Sequence, residues 1–192
     1  MIAGHFGFAA MVKSQERRTP LWALMLATVW LDIVFVPLFL MHIETVEPVP
    51  GAHGAYGNGI IHANYTHSLL GALILSAILG AAFLWRWNRQ SCVVIALVAF
   101  SHWVLDLFVH RADMPVLPGN AGGLMLFGAG LWQYPLVVAA MECALVIAGA
   151  WLYWRAARSL TFPEGTGKGR ADLVSILILV FGIAVLAMDV TS

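Results

Sequence analysis

The chain has 192 residues, 61% hydrophobic and 10% charged, and its ten basic and ten acidic side chains cancel. A mean hydropathy of +0.85 excludes an ordinary soluble domain, in which about a quarter of residues are charged. Zero net charge offers no basic stripe to a nucleic acid, and two cysteines without paired spacing exclude a disulfide framework.

Residues 1–12 are apolar, hold His5 between Gly4 and Gly7, and are too short to cross a bilayer. They precede the cluster Lys13, Arg17 and Arg18, the reverse of a secretory signal, so no cleavage is expected. Two placements compete: flat on the inner surface, or half-inserted against a bundle. Eight residues beyond Lys13, His5 would stand about 12 Å above it, and an imidazole at that depth needs a polar partner, which favours insertion.

Five longer apolar stretches follow, at 21–42, 66–87, 91–110, 131–154 and 173–189. Each is long enough to span about 30 Å of hydrocarbon at about 1.5 Å per residue. The expected fold is an all-α polytopic membrane bundle: five transmembrane helices plus a short N-terminal half-inserted helix, forming one integral membrane domain over 1–192. Cys92 and Cys143 fall inside spans and read as small apolar fillers.

Nine of the ten basic residues collect on one side if the amino terminus is cytoplasmic, and only Arg111 falls outside. The expectation is a multi-pass membrane protein, amino terminus in and carboxyl terminus out. Long outer connections, 43–65 and 111–130, are rich in Pro and Gly; the inner linker 161–170 is polar. Trp85, Trp87 and Trp132 are placed as interfacial anchors, with substrate stacking as the alternative.

Ionisable groups inside these spans are expensive, so they mark a functional site with partners to be found. Asp32, His102 and Glu142 lie near mid-membrane, and Asp106, His110, His67 and His62 lie progressively nearer the outside. A cation would hold them together, since zinc takes imidazole nitrogen and carboxylate oxygen and offsets their desolvation. His102 and Asp106, one turn apart, can grip one ion. His110 lies about 12 Å along the axis from His102 and would bind a second ion or serve the rim. Structural alternatives remain for each: a hydrogen-bonded pair for His102 and Asp106, a helix cap for His67, an interhelical charge partner for Asp32, wetted interfacial imidazoles for His5, His62 and His110. Glu142 reads as a ligand, a general base or a partner of a ligand. His42, His53, Glu44, Glu47 and Asp113 read as ordinary loop residues.

The ordered set Gly4-His5-Phe6-Gly7, Asp32, His62-Ala-Asn-Tyr-Thr-His67-Ser68 and Ser101-His102-Trp-Val-Leu-Asp106 resembles a family. It is that of the bacterial membrane-bound metal-dependent hydrolases first noticed as LexA-regulated inner-membrane proteins. Ala63-Asn64 and Leu31-Asp32 stand where that family commonly has Arg-Gly and Pro-Asp. More distantly, the order of His, Asp, His and H-x-x-x-D is similar to that of zinc-dependent phospholipase C. Those resemblances imply phosphoester hydrolysis with one to three zinc or other divalent ions, and Asp106 bridging two of them.

The functional expectation is therefore a hydrolase using metal-activated water on a lipid or other amphiphilic substrate from the outer half of the bilayer. Its metal ligands would be His5, Asp32, His62, His67, His102, Asp106 and His110, with Glu142 and Asp106 catalytic. Two other classes compete. A membrane cytochrome would use His67 with His102 or His110 as haem ligands, and a metal or proton transporter would use the acids as a relay. The uniformly apolar run 93–99 argues against a relay that continues to the inner surface.

Overall fold

The computed structural model describes residues 1–49, 59–159 and 166–191, so His53 and the first half of the linker expected at 161–170 lie outside the described residues. Seven α-helices and one two-stranded hairpin are present among them: α1 Ile2–Gln15, α2 Leu21–Thr28, α3 Trp30–Leu40, β1 Thr45–Pro48, β2 Gly59–His62, α4 Leu69–Ala82, α5 Arg89–Val109, α6 Pro135–Arg158 and α7 Thr166–Thr191. The all-α expectation holds, apart from the small hairpin, for which the Pro/Gly-rich composition carries no signal.

Among the described residues three unbroken helices are long and apolar enough to cross a membrane: Arg89–Val109, Pro135–Arg158 and Lys168–Asp189. The stretch expected as one span at 21–42 is made of α2 and α3, bent by 45° at Val29 and together long and apolar enough for a broken span or a re-entrant loop. At that break the Thr28 hydroxyl donates back to the Met25 carbonyl (2.8 Å), and the Thr28 carbonyl accepts from the His102 ring (2.6 Å). Side chains intruding on the backbone ladder are an ordinary cause of such kinks. The stretch expected at 66–87 is helical only over 69–82, about 21 Å of rise. Ser68 caps it by accepting the Gly71 N–H (3.0 Å), and turns follow from Phe83.

Helix α1 packs into the bundle. It runs alongside α6 in the same direction, with Gly4 against Glu142 and Leu145 and Gly7 against Leu145 and Val146. A Cβ on Gly7 would come within 2.5 Å of the Leu145 backbone, and one on Gly149 would overlap the Gly7 carbonyl. Glycine is required here because the two backbones touch. Lys13 closes the turn into α2 by donating to the Arg17 and Thr19 carbonyls (both 2.8 Å), and partial burial draws its ammonium below the usual lysine range. The descending α1 and rising α2 thus form a hairpin that carries His5 into the bundle, where it is buried.

Two apolar clusters bracket the middle of α5. One joins Ala9, Ala23, Leu24, Ala27, Leu79, Ile95, Val98 and Ala99; the other joins Leu31, Ala72, Trp103 and Met114. His102 lies between them in sequence. Outward faces are apolar as well, including Leu70, Ile74 and Ile78 on α4 and Ile176, Val180 and Phe181 on α7. Contiguous apolar surface of this extent suits hydrocarbon surroundings.

Helix α3 ends with His42 in the left-handed region (φ 57°), where the Ile43 N–H returns to the Leu38 carbonyl (2.9 Å). That closure has the form of a Schellman motif with His42 in glycine's usual place. It reverses the chain so that Glu44 points inward ahead of β1. The hairpin pairs Thr45 with His62 through Pro48 with Gly59, and the segment after α5 returns to satisfy α4, whose Leu69 and Leu70 N–H groups bond the Pro115 and Val116 carbonyls.

Candidate metal centre

Three helices, α1, α3 and α5, and the turn that precedes α4 deliver the ionisable groups. Asp106, buried on α5, places Oδ1 3.1 Å from His5 Nε2 of α1. Its Oδ2 lies 3.0 Å from His102 Nε2, 3.6 Å from His110 Nε2 and 3.8 Å from His67 Nε2. Asp32 of α3 closes the other side, with Oδ1 3.5 Å from His102 Nε2 and 3.6 Å from His67 Nε2. His67 and His102 face each other Nε2 to Nε2 at 3.3 Å, and the His5 ring stacks on that of His102. His5, His102 and Asp106 form one group able to hold a metal ion, and Asp32, His67 and His102 form another.

The outer nitrogens fix the inner ones. His102 Nδ1 lies 2.6 Å from the Thr28 carbonyl, which only accepts, so the ring proton belongs on Nδ1. His110 Nδ1 lies 3.1 Å from Asp113 Oδ1, with the same consequence. The Thr66 hydroxyl donates to Glu44 Oε2 (2.8 Å) and therefore accepts from His67 Nδ1 (2.9 Å). All three rings, when neutral, present Nε2 lone pairs toward carboxylate oxygens. Such an arrangement repels itself unless positive charge lies among the atoms, and two carboxylates match one divalent cation. His5 differs, for its Nδ1 is buried with no hydrogen-bond partner. Ligand histidines whose second nitrogen is tied to a carbonyl or carboxylate are the usual architecture of metal sites.

Most of this cluster is enclosed, but Asp32 keeps 38% of its side chain exposed. Access is therefore from α3, whose Ile33, Val36 and Phe39 are exposed beside it.

Of the expected site residues, His5, Asp32, His67, His102 and Asp106 come together, and His110 adjoins them. The reach of the side chains matters for His110: although far from His102 along the helix axis, it meets the same Asp106 oxygen, yet it belongs to neither metal-capable group. Two residues go elsewhere. His62 sits on β2, partly exposed and 3.6 Å from Glu47 Oε1, and it enters neither group because the hairpin carries it away from the helices. Glu142 is buried on α6, where Oε2 accepts the Gly4 N–H (2.9 Å) and so anchors the first turn of α1. A carboxylate at a helix amino terminus suits the macrodipole there. Trp132, expected at the interface, packs over His110 with ring centroids 4.2 Å apart.

Two residues read from sequence as ordinary loop positions are instead built into the site's support. Glu44 is completely buried beneath Thr66, and Asp113 holds His110 while its Oδ2 accepts the Ile61 N–H (3.3 Å). Neither lies on a periodic face; Asp113 stands three residues after His110, whereas Glu44 is 22 residues from Thr66 and nothing in its sequence neighbourhood marks it. No protein-family model, curated protein or solved structure matches the chain.

Proposed function

We propose that the chain is an integral membrane hydrolase that uses a bound divalent metal, zinc in the first instance, to cleave a phosphoester of a lipid or other amphiphile. In this reading α2 with α3, α4 with its following turns, α5, α6 and α7 make five crossings of a bacterial inner membrane. Helix α1 is half-inserted with its Lys13 end at the cytoplasmic side, and the site faces the outer half of the bilayer. The bias of positive residues supports that orientation.

The observation that carries the reading is the set of donor atoms. Five distances among His67 Nε2, His102 Nε2, Asp32 Oδ1 and Asp106 Oδ2, those in which an imidazole takes part, run from 3.0 to 3.8 Å. Neighbouring ligand atoms in a tetrahedral zinc site stand about 3.3 Å apart. When bound, such a cation supplies Lewis acidity that polarises the ester and acidifies water. The chain's own residues do the rest. His67 and His102 offer lone pairs fixed by Thr66 and Thr28, Asp32 and Asp106 balance the charge, Glu142 holds α1 and thus His5, and the enclosing apolar clusters exclude bulk water. Exposed Asp32 beside Ile33, Val36 and Phe39 favours a substrate with both a polar head and an apolar body.

A bis-histidine haem is disfavoured by the 3.3 Å between His67 and His102 Nε2, which leaves no room for a porphyrin between the rings. Transport is disfavoured by the closed apolar cluster from Ala9 to Ala99 on the inner side of His102. The test is hydrolysis by protein reconstituted in vesicles doped with glycerophospholipids and polyprenyl phosphates, followed by phosphorus NMR. Turnover that a chelator abolishes, zinc restores and Asp32→Asn removes is expected. Intact lipids in the presence of metal-loaded protein would overturn the hydrolase.

A further inference from the structure

Glu44 is enclosed completely and is a member of neither metal-capable group, yet it is wired to one. Its Oε1 accepts the Tyr65 and Thr66 N–H groups (2.8 Å each), and its Oε2 accepts the Thr66 hydroxyl proton (2.8 Å). The Thr66 oxygen then lies 2.9 Å from His67 Nδ1. We propose that Glu44, acting through the Thr66 hydroxyl, is the positioning residue that keeps the ring proton of His67 on Nδ1 and leaves Nε2 open toward Asp32 and His102.

The direction of each hydrogen bond follows from what each group can do. A carboxylate only accepts, so the hydroxyl's one proton goes to Glu44 and its oxygen can only accept from the ring. A neutral imidazole carries one proton, and placing it on Nδ1 makes Nε2 the ligand nitrogen. Gln at position 44 would reverse the chain of bonds with almost no change of shape. Its carbonyl oxygen keeps both backbone N–H groups, and its amide donates to the Thr66 oxygen. The hydroxyl then turns its own proton toward Nδ1, and the ring proton moves to Nε2, against the oxygens of Asp32 and Asp106. Asp113 repeats the device at His110, so both outer-side histidines are set by carboxylates that also bind backbone N–H groups of the hairpin or the segment after it.

This inference rests on the metal-site reading only in calling Nε2 a ligand, because the proton's position is measurable without metal. The experiment uses full-length protein with isotope-labelled histidine in micelles, chelated and held near pH 9, well above the ordinary imidazole value of about 6.5. Nitrogen NMR reads the His67 tautomer, assigned from a His67→Asn variant, and zinc affinity is measured in parallel. Wild type and Thr66→Ser are expected to carry the proton on Nδ1, Glu44→Gln on Nε2, and Thr66→Val on both in mixture. Zinc affinity should fall about 10–100-fold in Glu44→Gln and Thr66→Val, with Thr66→Ser close to wild type. An Nδ1 proton in Glu44→Gln or in Thr66→Val indistinguishable from wild type would overturn the proposal while leaving the metal site standing. The expected tautomers in a wild type that binds no zinc would overturn the metal reading and support the proposal.

Discussion

Replacing Asp106 with Asn removes one carboxylate from a point where four imidazoles converge, at 3.0, 3.1, 3.6 and 3.8 Å. The volume is unchanged, so the variant isolates charge and ligand strength. Breaking a buried charged pair costs about 3–5 kcal/mol, which corresponds to a weakening of zinc binding by roughly two to three and a half orders of magnitude. Zinc at about a thousand times the wild-type dissociation constant stabilises the wild type by about 4 kcal/mol; at the same concentration the variant retains about 1 kcal/mol or less. For a chain of this size that is a rise in Tm of roughly 8–16 °C for wild type and under about 4 °C for the variant. Tryptophan fluorescence during heating in micelles reads the shift, and comparing each protein with and without zinc cancels any change in metal-free stability. A variant with the full zinc-dependent shift would refute the placement of Asp106 in the metal centre.

His62→Ala should leave zinc affinity unchanged by calorimetry, because the ring pairs with Glu47 on the hairpin; a large loss would return His62 to the site. Gly149→Ala drives a methyl into the Gly7 carbonyl, so it should cost about 1–3 kcal/mol in thermal stability and weaken zinc binding by displacing His5; unchanged values would contradict the contact of α1 with α6. Trp103→Phe removes the donor to the His67 carbonyl (2.8 Å) and should cost about 1–3 kcal/mol, seen as a lower Tm; no change would mean that this carbonyl has another partner.

The parts of the site carried by regular helix were legible. His102 and Asp106 share a face because four residues make about one turn, and the expense of ionisable groups in apolar stretches flagged Asp32, His67 and His5. That α1 packs into the bundle fits the need of His5 for a polar partner, which Asp106 supplies with the His102 ring stacked beside it. What could not be read was decided by paths that have no period. The kink at Val29 goes with His102 reaching across to Thr28, the early end of α4 with turns from Phe83, and the departure of His62 with a short hairpin that has no period to mark it. Glu44 and Asp113 illustrate the same limit from the other side. Each is an acid in a loop by sequence, and only the returning chain turns it toward a histidine.

Metal content tests the bound cation most directly. Elemental analysis of protein purified without added zinc, then dialysed against trace zinc, should give at least about one divalent ion per chain for wild type and next to none for the His102→Ala, Asp106→Ala double variant. Equal and negligible metal in both would contradict it, for the Nε2 lone pairs and carboxylates at the centre of this bundle would then be balanced by protons alone.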